Sequence, residues 1–150
     1  MNFDSVDQIL AFAIQKEQEA ADFYTNLAEK MDKKQMKTIF LDFAEEEKQH
    51  KAKLEAVIEG KVLLKSEEKV VNLKIGDHLI EVESKPDLTF QDALIVAIKN
   101  EANAYTLYKS LAVATDDAGL RETFLGLAQE EARHKLRFEV EYDDYVYQEN

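Results

Sequence analysis

The chain has 150 residues, 31 acidic against 19 basic, and a formal net charge of −12. A surface of that sign repels nucleic acid and anionic membranes, so neither is expected as a partner, and it draws metal cations. There is no cysteine, which excludes disulfides, thiolate nucleophiles, cysteine-held zinc and iron–sulfur clusters; four Gly and one Pro argue against a turn-rich all-β fold.

The length suits one domain with a proper core. Met1-Asn2-Phe3-Asp4-Ser5 has no basic leader, and no apolar run approaches a membrane span, so a cytoplasmic protein is the default expectation. Ser5-Val6-Asp7-Gln8 reads as a capping box opening a first helix, along which Leu10, Ala13, Ile14, Glu17, Ala21, Tyr24, Leu27 and Met31 recur at three- and four-residue steps. Asp32 is a candidate cap for a second helix, with Met36, Phe40, Phe43, Glu47, His50, Leu54 and Val57 inward and Gly60 where a C-terminal cap belongs. Residues 61–88 change character: Val62-Leu63-Leu64, Val70-Val71-Asn72-Leu73 and Leu79-Ile80-Glu81-Val82 are β-branched and partly alternating. They read as a long crossover with room for one or two short strands, long enough to return the chain to the same end of a bundle and leave the second and third helices parallel.

Thr89-Phe90-Gln91-Asp92 resembles a second capping box, followed by the stripe Leu94, Ala97, Ile98, Glu101, Tyr105, Tyr108, Leu111 and Ala112. Asp116 or Asp117 is expected to cap a fourth helix, with Leu120, Phe124, Leu127, Glu131, His134 and Phe138 inward. Residues 143–150 form an acidic, aromatic tail that is expected to extend the last helix, with tyrosines available to a partner chain. The organisation is therefore an all-α four-helix bundle in one domain: hairpin 5–60, crossover 61–88, hairpin 89–142, tail 143–150.

The two hairpins are copies. A constant offset of 84 residues takes Glu17 to Glu101, Tyr24 to Tyr108, Glu47 to Glu131 and His50 to His134, with no insertion between paired helices. A pseudo-two-fold axis is expected. Glu17, Glu47, His50, Glu101, Glu131 and His134 each interrupt an otherwise apolar stripe. One buried, unpaired carboxylate costs several kcal/mol, and four near one axis repel one another. Two divalent cations remove both problems, because four carboxylates neutralise a total charge of four.

A single Glu-x-x-His is more often a solvated salt-bridge face, and a single Glu in an apolar stripe can snorkel to the surface. Here those readings must hold at six repeat-matched positions. One Glu on each of two helices, with Glu-x-x-His on each of the other two, is the di-iron and di-manganese bundle pattern. In that pattern Glu47 and Glu131 bridge the metals, Glu17 and Glu101 are terminal ligands, and His50 and His134 each hold one ion. Tyr24 and Tyr108, two turns beyond Glu17 and Glu101, are candidate catalytic-site residues whose hydroxyls are placed to hydrogen-bond a ligand carboxylate; ordinary core filling is the alternative. Glu19, Glu29, Glu45, Glu46, Glu130 and Glu139 fall off the stripe and read as solvated, His78 as a surface histidine and Tyr105 as packing.

On Ala-Ile-x-x-Glu17 with Tyr24, Glu46-Glu47-x-x-His50, Ala-Ile-x-x-Glu101 with Tyr108, and Glu130-Glu131-x-x-His134, the sequence resembles the ferritin-like superfamily, and within it the rubrerythrin-type di-iron domain. The likeness covers the four helices but not the crossover or tail. It implies a ferritin-like four-helix bundle, a non-haem centre of two iron ions, a homo-oligomer with a dimer favoured, and peroxide or dioxygen chemistry that oxidises ferrous iron or an external donor. Iron storage and a non-catalytic bundle are the competing expectations. Manganese suits the same ligands. Two departures stand out. Without cysteine the chain carries no rubredoxin domain, so a separate electron donor such as a rubredoxin is implied. The family's extra Glu, one turn after the third-helix ligand, is Ala104 here, and its repeat partner is Ala20; the resemblance does not extend to the family's shifting-iron mechanism. What remains is similar to the symmetric centre of bacterioferritin.

Overall fold

The computed structural model describes residues 5–60 and 88–149, and among these the ordered elements are four helices: α1 (Val6–Lys30), α2 (Lys34–Gly60), α3 (Phe90–Ala114) and α4 (Ala118–Glu149). The strands suggested for the crossover, and His78, lie outside the described residues.

Helix starts follow the caps read from sequence at three of four places. Ser5 accepts from the Gln8 amide at 3.2 Å, Thr89 from the Asp92 amide at 3.1 Å, and Asp117 from the Leu120 amide at 2.8 Å. Each satisfies an amide that the first turn leaves without an intrahelical partner. Asp32 does not take that place. The second helix opens at Lys34, one residue later than Asp32 requires, and the Lys33 carbonyl accepts from Met36 and Lys37 at 3.1 Å each. Gly60 is still helical, so it is the last described residue of α2 rather than a cap beyond it. Between α3 and α4, Arg121 donates to the carbonyls of Ala112 at 3.3 Å and Thr115 at 2.8 Å, satisfying acceptors that the end of α3 exposes.

The α1/α2 and α3/α4 pairs pack as antiparallel hairpins. Two apolar clusters fill the bundle. One joins Leu10 and Ala13 of α1, Leu54 of α2, Tyr108 and Leu111 of α3, and Leu120 and Phe124 of α4. The other joins Tyr24 and Met31 of α1, Phe40 and Phe43 of α2, Phe90 and Leu94 of α3, and Phe138 of α4. The end of α1 therefore meets the start of α3, and the end of α2 lies at the opposite end of the bundle from that start. Helices α2 and α3 run parallel, as a long crossover predicts. Each large side chain buried in these clusters stabilises the fold by roughly 1.5–3 kcal/mol.

Helix α4 continues to Glu149, so the tail is an extension of the helix. Tyr142 and Tyr145 pack back onto the chain's own core, with the Tyr145 ring edge-on to Phe90 at 5.1 Å. Tyr147 is exposed. Tyr105, expected to pack, is 37 % exposed because it faces out of α3, where Lys109 lies over its ring.

Candidate metal centre

Between the two apolar clusters lies a layer of ionisable groups. Glu17, Glu47, Glu101 and Glu131 are 0–2 % exposed and His50 and His134 6 % exposed, whereas among the described residues no lysine or arginine is buried to neutralise them. The side chains form two groups: Glu17, Glu47, His50 and Glu131, and Glu47, Glu101, Glu131 and His134, each offering ligand atoms within 4.8 Å of one another. Glu47 and Glu131 belong to both, so all six candidates come together with these two carboxylates shared between the groups.

The donor inventory shows what these atoms lack. Oε2 of Glu17, Oε1 of Glu47, Oε2 of Glu101, both oxygens of Glu131, and Nδ1 of both histidines are buried without an aligned hydrogen bond. Each Nδ1 points at carboxylate oxygens: His50 at Glu131 (2.8 Å) and Glu17 (3.6 Å), His134 at Glu47 (3.1 Å) and Glu101 (3.6 Å). Buried donor atoms that converge in this way could hold a cation, and a carboxylate–imidazole donor set of this composition fits iron or manganese.

The outer nitrogens are held from across the bundle. His50 Nε2 lies 2.6 Å from Glu130 Oε2, and His134 Nε2 lies 2.6 Å from Glu46 Oε2. This corrects the solvated reading of Glu46 and Glu130. They stand off the stripe of their own helices, half-buried, yet each reaches the histidine of the other hairpin. Each imidazole thus turns Nε2 outward to a carboxylate of the other hairpin and Nδ1 inward to the buried carboxylates. The available signal was that both recur at the same offset, immediately before the Glu of each Glu-x-x-His pair. Glu19 stays on the surface, paired with Lys16 at 3.0 Å, and Glu139 with Lys135 at 3.3 Å.

The tyrosines are buried and also cross between hairpins. Tyr24 donates to Glu101 Oε1, and Tyr108 donates to Glu17 Oε1. Burial first, and then the nearby carboxylates, push both phenols well above their ordinary value of 10.0, so they keep their protons and act as donors. Burial also raises Glu47 and Glu131 well above the usual carboxylate range, reinforced by Glu101 and by the other members of the group. Glu17 shifts the other way: burial alone would raise it, but its close approach to His50 and Glu47 and the His50 charge hold it down. His50 is raised, the carboxylates of Glu17 and Glu130 outweighing its burial.

A pocket of about 350 Å³ opens on the α2/α4 face, with His50 and His134 as its floor and Glu46, Glu130, Lys53 and Arg133 around it. No further carboxylate joins either ligand group, and Ala104 is half-buried on α3, so the described residues supply no seventh ligand of the rubrerythrin kind.

Fold and site together define a ferritin-like four-helix bundle whose core could hold two metal ions on four carboxylates and two imidazoles. The chain belongs to the rubrerythrin family, which it matches over residues 8–82 and 92–150. The match runs beyond the four helices, into the crossover and through the tail. A hypothetical protein from Pyrococcus furiosus shares the fold, with a TM-score of 0.70 and 23 % identity, over 96 % of this chain and 92 % of that one. No curated protein matches the chain.

Proposed function

We propose that the chain is a rubrerythrin-like, non-haem di-iron oxidoreductase that reacts with peroxide or dioxygen and oxidises ferrous iron or an external donor. The observation that carries this reading is the pair of repeat-related ligand groups, with inward lone pairs that no protein donor satisfies. When bound, a pair of irons supplies electrons and Lewis-acid contacts to a small oxygen species. Glu17 and Glu101 each anchor one end of the site, with Tyr108 and Tyr24 fixing one oxygen of each and leaving the other free. Glu47 and Glu131 stand between the two ends. The pocket on the α2/α4 face admits a small molecule to the histidine side, while the two apolar clusters exclude bulk water above and below. With no cysteine in the chain, electrons come from a separate protein, such as a rubredoxin.

Metal analysis after anaerobic iron loading tests the site, with two irons per chain expected. Stopped-flow oxidation of the reduced protein by peroxide and by dioxygen then tests the activity. Faster reaction with peroxide is the expected result, and a strong preference for dioxygen would exclude the peroxidase form. Solution mass distinguishes turnover from storage: a dimer fits the proposal, and a closed shell of many subunits would overturn it in favour of storage.

A further inference from the structure

The six candidate ligands obey the repeat, as do Tyr24/Tyr108 and Glu46/Glu130 that hold them, but other residues packed around them do not. At the Glu101–His134 end, the Asn100 amide donates to the Tyr24 hydroxyl at 3.3 Å, and that hydroxyl donates to Glu101. The repeat places Lys16 at the Asn100 position, and Lys16 pairs on the surface with Glu19. Phe43 stands edge-on to the His134 imidazole, ring centroids 4.9 Å apart at 86°, and is wedged against Phe138 at 3.9 Å. The repeat has Leu127 and Leu54 in their places. The Arg137 guanidinium lies 4.6 Å over the Phe43 ring and 3.7 Å from Glu46, the carboxylate that holds His134. Its repeat partner is Lys53, and among the described residues no lysine or arginine pairs with Glu130 at the other end.

We infer that the two metal positions are inequivalent: the Glu101–His134 position binds its ion first and more tightly, with Asn100, Phe43 and Arg137 as its positioning residues. The inference rests on the metal-centre reading above. A ligand already held in its binding geometry loses less freedom when the ion arrives, so its affinity is higher. At this end Glu101 is held by Tyr24 and Tyr24 by Asn100, while His134 is held by Glu46 and Phe43, and both of these by Arg137. At the Glu17–His50 end, Tyr108 and Glu130 lack those further supports. Arg137 is half-exposed and its charge is screened, so it acts through where it holds Glu46 and Phe43 rather than by repelling the ion.

Two identical positions sharing bridging carboxylates would also fill in two steps through charge repulsion, so stepwise binding alone proves nothing. The discriminating experiment is anaerobic titration of the full-length, metal-free His50→Ala and His134→Ala variants with Co²⁺, followed by its visible absorption, with circular dichroism to confirm the helices. The His50→Ala variant is expected to keep the tighter wild-type step. The His134→Ala variant should bind at least about tenfold more weakly, the scale on which supporting contacts alter metal affinity. Adding Asn100→Ala should weaken binding in the first background and leave the second unchanged, a selectivity that general destabilisation would not produce. In the otherwise unaltered protein, Phe43→Leu with Asn100→Lys, which installs the repeat's own residues, should narrow the gap between the two steps to what charge repulsion alone leaves. Equal affinities in the two histidine variants, or tighter binding by His134→Ala, would overturn the inference and leave the metal centre standing. Failure of the unaltered protein to take up Co²⁺ would overturn the metal-centre reading itself.

Discussion

His50 and His134 lie side by side, ring centroids 5.5 Å apart and planes 9° from parallel, each with its outer nitrogen on a carboxylate of the opposite hairpin. The carboxylates packed beneath them repel one another. The metal-free site is thus a place where protons substitute for cations, and its stability follows pH.

Glu47 and Glu131 bind protons more tightly folded than unfolded, chiefly through burial and then through neighbouring carboxylates. Their contribution is full below the ordinary value of 4.5 and is lost as pH rises through the raised folded values. His50, also raised, adds stability below 6.5 that is lost as pH rises further. Glu17, held low, works in the opposite sense and loses its contribution only as pH falls. Calorimetry with a chelator present should therefore show Tm falling from mildly acidic to alkaline pH. Metal-loaded protein should show a flatter profile and gain about 2.7 kcal/mol per site at a hundredfold excess over Kd.

Removing one carboxylate relieves repulsion that only bound protons offset in the metal-free site. The variant Glu47→Gln should equal or exceed the parent's metal-free stability, by about 0.5–2 kcal/mol in urea denaturation, while losing bridged metal binding. Equal metal retention would remove Glu47 from the ligand set.

Tyr108→Phe deletes the donor that holds Glu17, and Tyr24→Phe the donor that holds Glu101. A lost hydrogen bond to a charged acceptor costs about 1.5–3 kcal/mol. Both variants should show that loss in denaturant melts of the metal-free protein, and both should change the rate at which the reduced centre reacts.

Glu46→Ala and Glu130→Ala each free one histidine's outer nitrogen. Metal affinity should drop about 10–100-fold in each, measured by competition with a chromophoric chelator. An unchanged affinity would return these residues to the role of solvated surface acids.

The sequence made the helices, the hairpin repeat and the six inward ionisable residues legible, because one helical period with one interruption per stripe is a one-dimensional signal. Glu46 and Glu130 escaped that reading for a geometric reason. Each sits one residue, about 100° of turn, from its stripe, and its partner lies on another helix. Periodicity reports which face of a helix a residue occupies but not what the facing helix presents there. Tyr24 and Tyr108 were found on the correct face, but that they hold the carboxylate of the other hairpin became visible only with both hairpins packed. The caps Ser5, Thr89 and Asp117 are local and were readable; Asp32 failed because helix starts shift by a residue at little cost.

The supports of the site are all exchanged. Tyr24 holds Glu101, Tyr108 holds Glu17, Glu130 holds His50 and Glu46 holds His134. A single hairpin thus owns half the ligands and none of their braces, whereas two copies of one hairpin related by a two-fold axis would own everything. The architecture is that of a symmetric dimer written into one polypeptide. Within one polypeptide the two halves are free to differ, and Asn100 and Arg137 stand opposite Lys16 and Lys53.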